Sequence, residues 1–372
     1  MFNHADNPFG EGKIYLDYCA TTPVDPRVVD AMMPYFTKAF GNASSIHSFG
    51  RETKIPLEES RETLARAIGA ETGEVCFTSG GTEADNHALI GVAFDARQKT
   101  GRDHLIISAI EHHAVLHCAY YLQQLGFHVT ILPVDEFGKV NPETLRSAIT
   151  PKTFLISIMH ANNEIGTVQE IETLSDVAHE HGILFHSDCV QSAGKLPLNM
   201  KQLKVDLLSI SAHKFYGPKG IGALFIRRGT EIGSLVHGGA QEKGRRAGTE
   251  NIALAVGCAK AFRLAVEEME IESRRLAELR SVMRGLLSER FDGILFNGHP
   301  TESLPNIVNI SFDSRKKEID GEALLMNMDL HGVAVTSGSA CTSGSLEPSH
   351  VLRAIGRDEK TTKASIRFSM GK

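Results

Sequence analysis

The chain has 372 residues, of which 42% are hydrophobic and 23% charged, a balance that supports a large core and excludes a disordered chain. Its formal net charge of -6, without a long basic run, argues against nucleic acid as the main partner, because phosphate-tracking proteins carry a positive stripe. No apolar stretch approaches the roughly 20 residues that span a bilayer. The first residues lack the order of a secretion signal, and the six cysteines show no paired spacing, so a cytoplasmic protein with reduced thiols and no membrane contact is expected.

Residues 14–18 read as a short strand entering Ala20-Thr21-Thr22-Pro23, and residues 26–36 have helical apolar spacing. Gly41-Asn42-Ala43-Ser44-Ser45 is a polar loop. From Glu74 the pattern becomes βα: residues 75–77 read as a strand, Ser79-Gly80-Gly81-Thr82 as a glycine turn and residues 83–98 as a helix. That order sets backbone N–H groups around Gly81 and the Thr82 hydroxyl at a helix N-terminus, which receives phosphate well, although such a turn is often only a turn.

Three further units follow the same scheme. Residues 105–107 precede Glu111-His112-His113, residues 154–158 precede Asn162-Asn163, and residues 183–186 precede Asp188-Cys189-Val190-Gln191. In each, the polar residues lie just beyond the carboxyl end of an apolar strand, the edge where open α/β sheets bind ligands. His113, His117 and Cys118 invite a metal reading, but without a third ligand set the i, i+4 pair reads better as a half-exposed helix face. His112 is placed either to lie flat over a cofactor ring or to be a hydrogen-bonded core histidine.

Residues 207–210 form an apolar run that delivers Ser211, His213 and Lys214 to its carboxyl end. The turn through Gly217-Pro218 into residues 221–226 is too short for a helical crossover, so these two strands are expected to be antiparallel. By itself a lysine in this position is more often solvated than reactive. Pyridoxal phosphate chemistry, however, needs an amine for the aldehyde, an acid for the pyridine nitrogen, anchors for the phosphate and a ring to stack on, and one sheet edge offers all of them.

Lys243-Gly244-Arg245-Arg246-Ala247-Gly248-Thr249 is a basic loop of a kind that can reach a neighbouring subunit. Residues 251–270 and 273–290 read as two long helices, and residues 306–312 begin a second β pattern. The domain change is therefore placed near Phe262: residues 21–261 form a large α/β domain with a mostly parallel mixed sheet between helices, and residues 1–20 with 262–372 form a smaller α+β domain. Thr336-Ser337-Gly338-Ser339-Ala340-Cys341-Thr342-Ser343-Gly344-Ser345 is a Ser/Gly loop whose thiol is a candidate nucleophile. Residues 364–370 alternate, with Arg367 opposite Ile366, Phe368 and Met370 and able to fork onto a carboxylate.

Ser211-Ala212-His213-Lys214, Asp188 with Gln191, Gly80-Gly81-Thr82-Glu83, Glu111-His112 and above all Ser337-Gly338-Ser339-Ala340-Cys341-Thr342-Ser343 resemble the cysteine desulfurases of the NifS/IscS type, over nearly the whole chain and closer to the nitrogenase-associated branch. The resemblance implies a homodimeric fold-type I pyridoxal phosphate enzyme of the class V aminotransferases. Such an enzyme takes sulfur from L-cysteine, leaves L-alanine and passes the sulfur to an iron–sulfur scaffold protein. It further implies that Lys214 holds the cofactor, Asp188 pairs with the pyridine nitrogen and His112 stacks on the ring. Gln191 and Asn163 contact ring oxygen and substrate, Thr82, Ser211 and His213 hold the phosphate with Thr249 of the other subunit, and Arg367 binds the substrate carboxylate. Cys341 accepts sulfur as a persulfide and is the candidate for transient iron–sulfur ligation; no intrinsic metal is implied. Cys19, where the family usually has Asn or Ser, and Ala43, where it usually has Pro, are not expected to touch the chemistry. The same frame also suits a selenocysteine lyase or another class V enzyme, and an inactive sulfur-assembly scaffold is the non-enzyme alternative.

Overall fold

The computed structural model describes residues 12–337 and 348–372. Twelve strands are assigned in chain order: β1 (Ile14–Tyr15), β2 (Val75–Thr78), β3 (His104–Ser108), β4 (His128–Leu132), β5 (Thr153–Ser157), β6 (Leu184–Asp188), β7 (Leu207–Ser211), β8 (Gly222–Ile226), β9 (Ile294–Asn297), β10 (Ile307–Phe312), β11 (Val333–Ala334) and β12 (Ser365–Ser369). Seven of them form one sheet in the order β2-β8-β7-β6-β5-β3-β4. The pairs among β4, β3, β5, β6 and β7 are parallel, whereas β8 runs antiparallel to both β7 and β2, as the short turn after Lys214 requires.

The central strands β3, β5, β6 and β7 are buried along almost their whole length because helices cover both faces. One face packs Ile106, Ile156, Phe185, Leu208, Ile210 and Phe225 into a core with the helices Ser48–Ala67 and Ile252–Arg290. The other packs Leu105, Ile107, Leu155, Leu207 and Leu224 against the helices Gly81–Thr100 and His113–Gln124. A three-stranded sheet, β12-β10-β9, has its own core of Val308, Ile310, Ile366, Phe368 and Leu276.

Two readings are corrected, and one helix is added. Residues 252–290 form one 39-residue helix, not two, since Ile271 and Glu272 include no helix breaker and Arg274–Glu270 and Arg275–Glu272 ion pairs brace the polar stretch. Residues 26–36 divide at Met33 into the helices Pro26–Met32 and Pro34–Thr37, because Pro34 has no N–H to continue the ladder. The helix Ser48–Ala67 has no counterpart in the sequence reading, where Pro56 in its middle masks it. Among the described residues no helix is long and apolar enough to cross a membrane.

Candidate active site

The parallel strands all point their carboxyl ends at one edge, and the turns that follow β2, β3, β5, β6 and β7 meet there around a cleft with about 640 Å³ of empty space. Gly81, Thr82, His112, Asn163, Asp188, Gln191, Ser211, His213 and Lys214 line it, so the structure gathers nearly all of the residues singled out from sequence. Asp85, Met159 and Val190 line it too and were missed. For Asp85 a signal existed: an acid on the apolar face that carries Ala84, Ala88 and Leu89.

Gly80 and Gly81 let the first turn of the helix Gly81–Thr100 sit against the ends of β6 and β7. A Cβ on Gly81 would lie 2.7 Å from Val190 Cγ2 and 3.4 Å from Ser211 Cβ. The result is a helix N-terminus opening into the cleft beside the Thr82 and Ser211 hydroxyls, an arrangement that can hold a phosphate monoester.

Asp188 ends β6, is 4% exposed, and accepts the Val190 N–H at 2.8 Å on Oδ1. Burial pushes its carboxyl up to about 6, against the hydrogen bond and the Lys214 cation, which favour the charge. A cationic ring nitrogen placed against it would favour that charge further. His112 caps the helix His113–Gln124: its Nδ1 accepts the Ala114 N–H at 3.1 Å, which leaves the other ring nitrogen as the donor of a neutral imidazole. Burial, then the Lys214 cation, holds this histidine below its usual range, and a neutral flat ring suits stacking.

Lys214 closes the short turn Ala212–Lys214 after β7. Its Nζ donates to the carbonyl oxygens of Cys19 at 2.5 Å and Ala20 at 2.8 Å. Burial holds the amine down at about 8, with the Arg367 and Lys195 cations acting in the same direction and Asp188 against it. Cys19 thus does meet the lysine: its backbone carbonyl accepts from Nζ, and its side chain acts on the amine against burial; Gln191 Nε2 donates to the same carbonyl at 3.0 Å. His213 Nδ1 lies 3.1 Å from Thr21 Oγ1, and burial followed by Lys214 holds its ring down at about 4.

Arg367 stands behind the cleft. From β12 its Nη1 donates to Asn163 O at 2.9 Å and its Nη2 to Asp17 Oδ1 at 2.7 Å, while its buried Nε has no partner. Thr249 is exposed and borders a different pocket, with Thr78, Ser79 and Arg246, so its own chain's cleft does not include it. Cys341 lies outside the described residues. The five remaining cysteines are buried, and burial pushes Cys76, Cys118, Cys189 and Cys258 up to about 12, the behaviour of packing residues.

Residues 14–372 match the family model described as aminotransferase class-V. The chain belongs to that family. Within it, this class-V aminotransferase is 52% identical over 359 residues to a protein named cysteine desulfurase IscS from Dictyoglomus turgidum, covering 96% of this chain and 90% of the relative. It is 50% identical over 360 residues to the cysteine desulfurase IscS of Methanosarcina thermophila, covering 96% and 87%. Among solved structures, a NifS-like protein superposes with a TM-score of 0.88 at 37% identity over 96% of this chain and 93% of the other. A structure described as SspA in complex with cysteine gives 0.84 at 36% identity, covering 96% and 98%.

Proposed function

We propose that this class-V aminotransferase is an L-cysteine desulfurase that uses pyridoxal 5'-phosphate. The observation that carries the reading is the convergence of Lys214, Asp188, His112 and the Gly81-Thr82 helix N-terminus on one cleft, in a chain that matches cysteine desulfurases across 96% of its length. The residues fit that cofactor: a helix start that a Cβ at Gly81 would crowd, an amine held down at about 8, and a buried carboxylate for the pyridine nitrogen. When bound, pyridoxal phosphate supplies an electron sink that makes the Cβ–S bond of cysteine breakable.

The protein's own part is positional. Thr82, Ser211 and His213 hold the phosphate, together with Thr249 of a second copy in a homodimer. Asp188 keeps the ring nitrogen protonated, His112 stacks on the ring, and Gln191 and Asn163 meet ring oxygen and substrate. Lys214, whose Nζ here donates to the Cys19 and Ala20 carbonyls, would be the residue that holds the aldehyde and would move protons at the substrate. Arg367, already oriented by Asp17, receives the substrate carboxylate. The Cys341 thiolate takes the substrate's sulfur, so that L-cysteine and the thiol give L-alanine and a Cys341 persulfide, which an iron–sulfur scaffold protein then draws off in the cytoplasm. The chain divides functionally into a cofactor-binding part, residues 21–261, and a smaller part, residues 1–20 with 262–372, joined inside the helix Ile252–Arg290.

Mass spectrometry of the loaded protein after brief exposure to L-cysteine tests the reading. An extra sulfur on the Cys341 peptide, absent from Cys341→Ser, is expected. Sulfur found on another cysteine, or none anywhere, contradicts it.

A further inference from the structure

Asp85 lies one turn into the helix Gly81–Thr100 and lines the same cleft as Gly81, Thr82 and Asp188. Ala84, Ala88 and Leu89 beside it are fully buried, and Asp85 is itself 1% exposed. A carboxylate in such a place needs a cation or several donors to stay charged. Asp85 Oδ1 has no hydrogen-bond partner, and His186 Nε2, at 3.6 Å, is beyond bonding range.

Among the described residues, the groups that face Asp85 from the surrounding elements supply no cation. Ser209 on β7 bonds to its carboxyl, and the same hydroxyl lies 3.0 Å from His186 Nε2. Burial holds His186 on β6 down at about 3, hence uncharged, and burial holds the Cys118 thiol on the helix His113–Gln124 up at about 12. Asp188 and Glu111 are carboxyls themselves, and the Lys214 amine is engaged by carbonyls. Burial first, and then the Asp188 charge, raises the Asp85 carboxyl well above the usual range.

We propose that Asp85 is a positioning residue of the cofactor site: it keeps its proton, offers it from the unpartnered Oδ1, and leaves Asp188 as the anionic member of the pair, the one that faces the pyridine nitrogen. Two carboxylates in one dry site raise each other's proton affinity, so one of them holds a proton. The donors decide which one. Asp188 has the Val190 N–H at 2.8 Å and would face the ring nitrogen, whereas Asp85 has a serine hydroxyl. The same division limits negative charge in a cleft that also has to receive a phosphate.

This inference rests on the pyridoxal phosphate reading, and the two fail differently. A parent protein that takes up no pyridoxal phosphate removes the reading, while the inference is tested on the loaded parent. Infrared difference spectra between loaded parent and loaded Asp85→Asn at pH 7 are expected to show the carbonyl stretch of a protonated carboxylic acid, lost in the variant. Loss of carboxylate bands instead overturns the proposal. Asp85→Asn, neutral and still a donor, is expected to bind pyridoxal phosphate within about threefold of the parent, whereas Asp85→Ala, which has no donor, loses about tenfold, the effect of one hydrogen bond. The visible absorption of the Ala variant should also titrate at a different pH from the parent's. If Asn binds as poorly as Ala, the site needs an ionised Asp85; if Ala matches the parent in affinity and titration, Asp85 does nothing for the cofactor. Either result overturns the proposal. Should Asp85→Ala not fold, the infrared result on Asp85→Asn decides alone.

Discussion

The Lys214 amine is held down at about 8, below the ordinary lysine range, because burial disfavours the ammonium. Only the neutral amine attacks an aldehyde. Capture of pyridoxal phosphate by the unloaded protein, followed by stopped-flow absorbance, should therefore accelerate as the pH rises through about 8. A midpoint above pH 10 would show a solvated lysine. Glu111, 0% exposed, is the reverse case: burial pushes its carboxyl from 4.5 up to about 8, against hydrogen bonds from Ser108 and Met159. The folded state then binds a proton that the unfolded state has released. The stability due to this proton is full below about 4.5 and is lost as the pH rises through about 8. Glu111→Gln keeps the shape without titrating, so its unfolding free energy should fall less over that window than the parent's; equal slopes in urea melts would discard the linkage.

At the level of elements, the site depends on how closely β7, β8 and the glycine turn approach one another. A Cβ on Gly222 would lie 2.5 Å from the Ile210 carbonyl oxygen and 2.8 Å from Gly80 C, both backbone atoms that cannot swing aside. Gly222→Ala is expected to cost about 1–3 kcal/mol in chemical denaturation, the usual range for overpacking, and to weaken cofactor retention because Gly80 precedes the phosphate turn. Gly285, in the helix Ile252–Arg290, has nothing within 4 Å of its added Cβ. Gly285→Ala should stabilise by about 0.4–1 kcal/mol instead. A stable Gly222→Ala would mean that the turn has slack. The strand ends were legible in the sequence because an apolar start, Leu184-Phe185 in β6 and Leu207-Leu208 in β7, gives way to polar residues that end at Asp188 and Ser211, and both strands are buried. The helix Ser48–Ala67 was not legible, since its buried face is interrupted by Pro56 and includes Thr53, Ser60 and Arg61. Asp85 was passed over because a single acid on a helix normally reads as solvent-facing, and only the packing of the first turn onto β6 and β7 brings it to the cleft.

For the whole molecule, the question is what the exposed Thr249 serves. Its loop is tied to its own chain: Arg61 pairs with Glu242 at 2.6 Å with side chains 6% and 3% exposed, and Arg246 pairs with Glu83 at 2.9 Å. Glu242 and Lys243 sit at φ 47° and 59°, an unfavourable left-handed backbone that these contacts hold in place. Breaking the buried pair with Arg61→Leu should cost about 3–5 kcal/mol, because Glu242 is left without its cation. With the loop fixed, Thr249 stays exposed and outside its own cleft, where the proposed dimer would use it to complete a neighbour's site. Mixing Lys214→Ala with Thr249→Ala subunits should therefore rebuild one complete site per heterodimer and regain tight cofactor binding that neither variant has alone. An active, cofactor-loaded monomer in sedimentation would contradict this. The central claim, desulfuration of L-cysteine, is met most directly by giving the cofactor-loaded protein L-cysteine with a thiol reductant and measuring alanine and sulfide together. Equal amounts of both, abolished in Cys341→Ser, are the expected result. Alanine without sulfide, no product from the loaded protein, or a Cys341→Ser variant running at the parent rate would contradict the account.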